Sequence, residues 1–451
     1  MLSVIPVIIG TIIFFKLNKF YQFTVLSLAA LLPFSLGDFM SIPDLLVVEW
    51  LTFVCLLITI NELIPLNKTE KKFSYLKFKG IEIFIVAIVI LIIWTTVSYI
   101  KYETLADNIK HIGEKRGVFR LYFTIINNIL LFFTTIIFVS AYYEQINFEK
   151  FIRVMLTAAL IIGVLRIFSY FYQFSLPLLA GTFKYDPNAM RQYGGIAFRF
   201  GGLAEVATVG VPALFSYYVF KGKMNVFFLA LMMLFVFLSG GRTVMAGVFL
   251  SIIVFSFFFL PRNFIYLITA GGILLIVVSL FAPESVLKGQ FGRLTTLNAG
   301  NFMGQDAWRG LAWQFYLENF NKNPIWGKGI GAYSGFIYSS FEGAKEFTEQ
   351  MLFTGGHGSY ISLLSTFGLG GITYFVILLY GGIILSYRKI RQNIGIDVNK
   401  TAIGVFCFML LLIKAVDFLT GGDGLSEATI MFFIVGFICS LTVLKNRNNL
   451  K

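Results

Sequence analysis

The chain has 451 residues, of which 57% are hydrophobic and 13% are charged, and its mean hydropathy is +0.81. A soluble domain carries about 25% charged residues, so this composition excludes a water-soluble protein and predicts an all-α polytopic membrane protein. The net charge of +13 comes from basic residues that cluster in short segments between apolar runs, as at 68–79 and 388–391. This distribution follows the positive-inside rule and argues against a nucleic acid as partner.

Apolar runs recur along the whole chain and predict about 12–13 transmembrane helices, because about 20 apolar residues cross a bilayer. The runs lie near 2–15, 20–36, 43–64, 81–99, 121–142, 151–171, 206–220, 224–239, 243–260, 263–282, 359–386, 401–417 and 428–444. With the basic segments in the cytoplasm, we expect three parts. Transmembrane helices with an outer loop near 172–205 occupy 1–282, a large loop on the outer side occupies 283–358, and C-terminal transmembrane helices occupy 359–451.

The segment 283–358 is the longest polar stretch, and part of it has helical spacing. Apolar residues recur at i, i+3 and i+4 over 307–322, which predicts an amphipathic helix. The Asn-Pro pair at 323–324 ends this helix, and Gly327, Gly329 and Gly331 predict a tight turn after it. Such a loop could belong to a functional site or serve as a structural cap on the helix bundle.

The residues that bind metals and nucleotides are scarce. Cys55, Cys407 and Cys439 lie within apolar runs without metal-ligand spacing. The two histidines, His111 and His357, are too few for a histidine-rich metal site, and no P-loop is present. We therefore predict no metal and no cofactor.

Glycine-containing turns precede the helices that begin near 206, 243 and 359, and all three helices run inward from the outer face. Helix N-termini favour anions, and an arginine beside one can bind a phosphate bidentately. Membrane orientation does not require arginines on the outer side, so Arg199, Arg242 and Arg309 are candidates for binding a lipid phosphate or diphosphate. The alternative is that each arginine reaches lipid headgroups or caps a loop. His357 is a candidate general base near neutral pH, or else a structural hydrogen-bond partner.

Four segments resemble the bacterial O-antigen polymerases and the related O-antigen ligases. They are FRFGGLAEVATVG at 198–210, SGGRTVMAG at 239–247, WRGLAWQFYLENFNKNPIWGKGIGAY at 308–333 and GGHGSYISLLSTFGLGGITYF at 355–375. The acidic Glu205 after the glycines is similar to the polymerase version of the first segment. Gly358 follows the histidine where ligases typically have Asn, and Val206 stands where many polymerases have Pro.

The resemblance implies a GT-C-like glycosyltransferase of the bacterial inner membrane whose active site faces the periplasm. Its donor would be a glycan on undecaprenyl diphosphate, and its acceptor a lipid-linked repeat unit, with a chain-length-determining co-polymerase as a further partner. The resemblance implies that Arg199, Arg242 and Arg309 bind the diphosphate. His357 would orient or deprotonate the acceptor hydroxyl, and Glu205 would position that hydroxyl or hold Arg199.

Two alternatives remain open. A ligase that transfers glycan to lipid A-core would use the same site with another acceptor. A transporter of lipid-linked oligosaccharide would have no chemistry, although the internal repeats typical of transporters are not evident. Arg166, Lys414 and Asp417 fall in or near apolar runs and could mark a transport path. The three-residue spacing of Lys414 and Asp417 instead favours a local ion pair.

Overall fold

The computed structural model describes residues 5–32, 47–63, 80–108, 115–172, 202–239, 242–259, 316–329, 359–419 and 428–448. These parts of the chain contain the twelve α-helices given below and no strand, which confirms the all-α prediction. The helices are α1 (Ile5–Lys16), α2 (Lys19–Leu31), α3 (Val47–Leu63), α4 (Glu82–Asn108), α5 (Lys115–Tyr142), α6 (Phe148–Tyr172), α7 (Leu203–Lys221), α8 (Val226–Ser239), α9 (Arg242–Phe259), α10 (Ser359–Asn393), α11 (Val398–Asp417) and α12 (Thr429–Asn448).

Six of the described helices contain segments long and apolar enough to cross a membrane, and four shorter helices are also apolar. The six segments are Glu82–Ile100, Tyr122–Gln145, Phe148–Phe168, Leu203–Lys221, Ser359–Asn393 and Val398–Asp417. Apolar side chains also cover the outside, as on α4, where Ile83, Val86 and Val89 are about half exposed. An apolar exterior suits contact with lipid, so the chain is a multi-pass membrane protein. The predicted run 263–282 lies outside the described residues.

The helices α7, α9 and α10 begin at the same end of the bundle. Ser216 Oγ, near the end of α7, donates to the carbonyl oxygen of Ala402, near the start of α11, at 2.7 Å. Gly247 packs on the backbone of Ile413, and Gly404 packs on Ile390. All three helices are therefore antiparallel to α11. We call the end where Leu203, Arg242 and Ser359 begin their helices the motif end.

The other end of the bundle carries the basic segments, and we call it the basic end. Lys221 Nζ lies 2.7 Å from Glu149 Oε1 and joins the end of α7 to the start of α6 there. Lys19 Nζ lies over the ring of Tyr142, 4.6 Å from its centroid. Helix α10 also ends here, and its last turns contain the basic residues Arg388, Lys389 and Arg391 of a predicted cytoplasmic segment.

Helix α11 lies at the centre of the bundle, with 15 of its 20 residues buried. It packs against α7, α9, α10 and α12. Gly247 and Gly404 let neighbouring helix backbones approach it closely, as small residues do in membrane bundles. Cys407, like Cys55 and Cys439, is a buried free cysteine, as its apolar surroundings predict.

A break in α10 holds a segment of the long loop. Gly368 has φ 60° and ψ −146°, which interrupts the helix. The helical residues 316–322 end at the Asn-Pro pair as predicted, and residues 323–329, the docked segment, then run along the break. Gly327 and Gly329 have positive φ, as the predicted turn requires. Gly331 and residues 307–315 of the predicted helix lie outside the described residues.

Backbone hydrogen bonds hold the docked segment in place. The amides of Lys328 and Gly329 donate to the carbonyl oxygens of Ser365 and Thr366, both at 2.8 Å, and the Leu369 amide donates to Pro324 at 2.8 Å. The break leaves backbone N–H and C=O groups without helical partners, and these bonds satisfy them. Non-helical backbone within a membrane needs such partners inside the protein. Gly368 lies nine residues after Ser359, so the segment lies about 13 Å along α10 from its start.

Candidate functional site

The last turn of α11 connects the starts of α9 and α10 at the motif end. Thr243, the second residue of α9, donates from Oγ1 to Asp417 Oδ1 at 3.2 Å. The Ser359 amide, at the start of α10, donates to the carbonyl oxygen of Phe418 at 3.0 Å. Tyr360 adds a bond from its hydroxyl to the carbonyl oxygen of Ala415 at 3.2 Å. Two of the four motif segments are therefore fixed to one helix end.

Lys414 and Asp417 form an ion pair inside this connection, as their spacing predicts. Lys414 Nζ lies 2.8 Å from Asp417 Oδ2, and the two side chains are 6% and 13% exposed. The Lys414 ammonium also lies 5.5 Å from the centroid of the Phe418 ring, within the range of a cation–π contact. A carboxylate and an ammonium buried together compensate each other's loss of water. The pair therefore has a local structural role at the start of α9.

Glu205 lies in the first turn of α7 and pairs with Arg166, near the end of α6. Its Oε2 is 3.3 Å from Arg166 Nη1. The Arg166 side chain is 3% exposed, whereas that of Glu205 is 39% exposed. The arginine is thus enclosed by protein, and the carboxylate is partly accessible at the motif end. The sequence led us to consider Arg166 only as a possible mark of a transport path.

Gly202 provides the space for the Arg166 guanidinium. It precedes α7 with φ 77° and ψ −5°, a left-handed conformation that favours glycine. A Cβ added at Gly202 would overlap the guanidinium of Arg166. The second glycine of the FGGLAE motif is therefore required both for its backbone conformation and for the arginine beside it. An arginine within an apolar run was the one signal in the sequence that pointed to this contact.

The structure describes part of the predicted site. The Glu205 side chain is described, and Arg242 begins α9, although only its backbone is among the described residues. Arg199, Arg309 and His357 lie outside the described residues. Over the ranges that the structure describes, no cluster of three or more His, Cys, Asp or Glu residues could bind a metal ion.

A comparison with protein families identifies one domain. The family model described as O-antigen ligase matches residues 227–376, from α8 through the docked segment into α10. This part of the chain is an O-antigen polymerase/ligase domain. The match confirms the predicted resemblance and includes three of the four motifs, whereas FRFGGLAEVATVG at 198–210 precedes it. A search of curated proteins finds no match to the chain.

The O-antigen polymerase/ligase domain defines the general activity. A domain of this family implies a glycosyltransferase-like membrane enzyme with a lipid-linked glycan as its substrate. Polymerases and ligases share this description and differ in the acceptor.

Proposed function

We propose that this enzyme polymerises undecaprenyl-diphosphate-linked repeat units into O-antigen or a related surface polysaccharide. The reaction takes place at the periplasmic face of the bacterial inner membrane, without a metal. A hydroxyl oxygen of the acceptor sugar bonds to the anomeric carbon of the donor, and the bond from that carbon to the diphosphate oxygen breaks. Undecaprenyl diphosphate leaves, and a single displacement of this kind inverts the anomeric configuration.

The observation that carries the proposal is the common position of the motif-bearing helix starts. The helices α7, α9 and α10 all begin at the end opposite the basic segments, and α11 ties two of these starts together. The motif end is the periplasmic side in this proposal because basic segments stay in the cytoplasm. The loop 283–358 would then cover the site, between the transmembrane parts 1–282 and 359–451.

Each candidate residue has a chemical role in the proposed reaction. Negative charge develops on the leaving diphosphate, and preorganised cationic groups stabilise such charge in the transition state. Arg242 and Arg309 bind the diphosphate, with Arg199 as a third contact. His357 takes the proton of the attacking hydroxyl, while Glu205 positions that hydroxyl.

Ligase activity is the second candidate because the matched family model is described as O-antigen ligase. The same diphosphate would leave, and the acceptor would be lipid A-core. Two positions favour the polymerase: Glu205 is the acidic residue of the polymerase version of its motif, and Gly358 stands where ligases typically have Asn.

Reconstitution tests the acceptor directly. Purified enzyme in liposomes is mixed with undecaprenyl-diphosphate repeat units without added metal, and the products are separated on a gel. We expect a ladder of polymer. Glycan transfer only when lipid A-core is present would instead identify a ligase. Neither product, together with faster movement of the lipid-linked sugar across the bilayer, would identify a transporter and overturn the proposal.

Arg242→Ala and His357→Ala test the site in the same assay. We expect each to reduce polymer by on the order of 100-fold, the range seen when a preorganised charge or an acid–base group is removed. Arg153→Ala is the control, because Arg153 is 58% exposed near the start of α6, at the basic end. Normal polymer from both test variants would contradict the assigned roles.

A further inference from the structure

We infer that Arg166 is a positioning residue that holds the Glu205 carboxylate ready for the acceptor sugar. This inference rests on the proposed function, because it assigns Arg166 a part in the same transfer. Four observations carry it: the ion pair, the difference in exposure between its partners, the close contact with Gly202 and the packing of the surrounding helices.

The ion pair is asymmetric in a way that suits positioning. Arg166 is 3% exposed and Glu205 is 39% exposed, with 3.3 Å between Nη1 and Oε2. The cation is therefore held by the protein, and the carboxylate keeps accessible surface at the motif end. Glu205 also lies in the first turn of α7, where the positive end of the helix dipole attracts a carboxylate. A carboxylate held in this way can accept a hydrogen bond from a sugar hydroxyl without reorganising.

The guanidinium of Arg166 has little freedom to move. Gly202 lies directly against it, so the start of α7 and the end of α6 touch through this side chain. Farther along the two helices, Gly210 packs on Met232 and Ala159, and Gly163 packs on Phe235. Because these glycines bring the helices into close contact, α6, α7 and α8 are fixed relative to one another. Site residues on rigid elements are held closer to a productive geometry than residues on loops.

Mutation distinguishes a positioning role of the Arg166–Glu205 pair from a purely structural one. Apolar residues often replace a buried ion pair with no loss of stability, whereas an ionisable residue inside a membrane helix more often has a function. If the pair only holds α6 against α7, its loss should lower the yield of folded enzyme and the thermal unfolding temperature. If it positions a carboxylate, turnover should fall in enzyme that remains folded.

The test compares Arg166→Gln, Glu205→Gln and the double variant in the reconstituted transfer assay. We expect each single variant to lower kcat by at least about tenfold and to lower kcat/KM by the same factor, the pattern of an interaction made in the transition state. The double variant should be no worse than either single variant, because the two residues act as a unit. Arg166→Lys should recover part of the activity. Thermal unfolding of each variant is measured alongside.

Arg153→Gln is the matched control. Arg153 Nη2 lies 3.4 Å from Glu149 Oε1 at the basic end, so it is also an Arg–Glu pair of nearly the same length. We expect this variant to keep the wild-type kcat. Wild-type kcat in Arg166→Gln would overturn the inference, as would losses that multiply in the double variant. A loss of kcat in Arg166→Gln that matches a fall in its unfolding temperature would also overturn it, because this variant leaves only the partly exposed Glu205 without its partner. If the wild-type enzyme transfers no glycan to either acceptor, the proposed function fails, and the inference fails with it.

Discussion

Two glycines flank α7 in nearly the same backbone conformation. Gly202 has φ +77° and Gly222 has φ +65°. Gly202 lies against the Arg166 guanidinium, while a Cβ added at Gly222 would meet no atom within 4 Å. The two positions therefore separate the effect of backbone conformation from the effect of packing.

We predict that Gly202→Ala is more harmful than Gly222→Ala. Both variants force an L-residue into the left-handed region, at a cost of about 1–2 kcal/mol. Gly202→Ala also displaces Arg166, so it should lower both the unfolding temperature and the transfer activity further. Thermal unfolding of both purified variants and the reconstituted assay measure the difference. Equal effects of the two substitutions would show that the guanidinium does not depend on the glycine.

Lysine–aspartate pairs at the two ends of α11 allow a similar comparison. Lys414–Asp417 and Lys400–Asp397 each have three-residue spacing and an N–O distance of 2.8 Å. The first pair is 6% and 13% exposed, and the second is 26% and 27% exposed. The first pair is therefore more buried, and it also has the Thr243 hydrogen bond and the Phe418 ring contact.

We predict that Lys414→Ala destabilises the enzyme by about 3–5 kcal/mol, because it leaves the Asp417 carboxylate buried without its cation. Lys400→Ala should cost no more than about 1 kcal/mol, as for exposed pairs. The yield of folded protein and its resistance to thermal unfolding are the measurements. If the two variants behave alike, burial of the Lys414 pair contributes nothing to stability.

At the scale of elements, the docked segment depends on conformations that only glycine adopts readily. The sequence predicted the turn at Gly327 and Gly329 from their spacing, and the glycines at the break in α10, GLGG at 368–371, lie in the fourth motif segment. The sequence could not predict that the docked segment lies in the break of α10, because backbone hydrogen bonds between distant segments leave no side-chain pattern. Trp94 shows the same limit: its indole nitrogen donates to the carbonyl oxygen of Ile325 at 2.9 Å, across 231 positions of the chain.

We predict that Gly368→Ala releases the docked segment. The φ and ψ of Gly368 are restricted to glycine, and an added Cβ would collide with the carbonyls of Pro324 and Ile325. Limited digestion with trypsin, which needs a locally unfolded substrate, should then cut after Lys328. Gly395→Ala is the control, because Gly395 also has positive φ and lies in open space. Resistance of Lys328 in Gly368→Ala would show that the segment docks without the break.

At the scale of the whole molecule, charge and hydropathy correctly predicted that α7, α9 and α10 run in the same direction. The alternation derived from the basic segments agrees with the antiparallel packing of α7, α9 and α10 on α11. The central position of α11 could not be predicted, because helices that are apolar on all sides give no sign of which side is buried. The Arg166–Glu205 pair likewise depends on how α6 packs against α7, which the sequence does not encode locally.

We predict that the motif end faces the periplasm. Leu419, just after α11, is 54% exposed at the motif end, and Ile396 is 82% exposed at the basic end. A membrane-impermeant maleimide added to cells with a permeabilised outer membrane should label Leu419→Cys, and it should label Ile396→Cys only after lysis. The three native cysteines are buried and give a low background. The opposite labelling pattern would reverse the orientation and place the candidate site in the cytoplasm.

The docked segment has a consequence for how this enzyme could diversify. It ends at Gly329, whose amide is bonded to Thr366, while residues 330–358 lead to Ser359, on the same helix. The chain thus leaves and rejoins α10 within about 10 Å, the rise of seven helical residues. The residues on either side of 330–358, Gly329 and Ser359, are therefore held within two turns of one helix. A change in the length of 330–358 would leave the hydrogen bonds of the Gly329 and Ser359 amides in place.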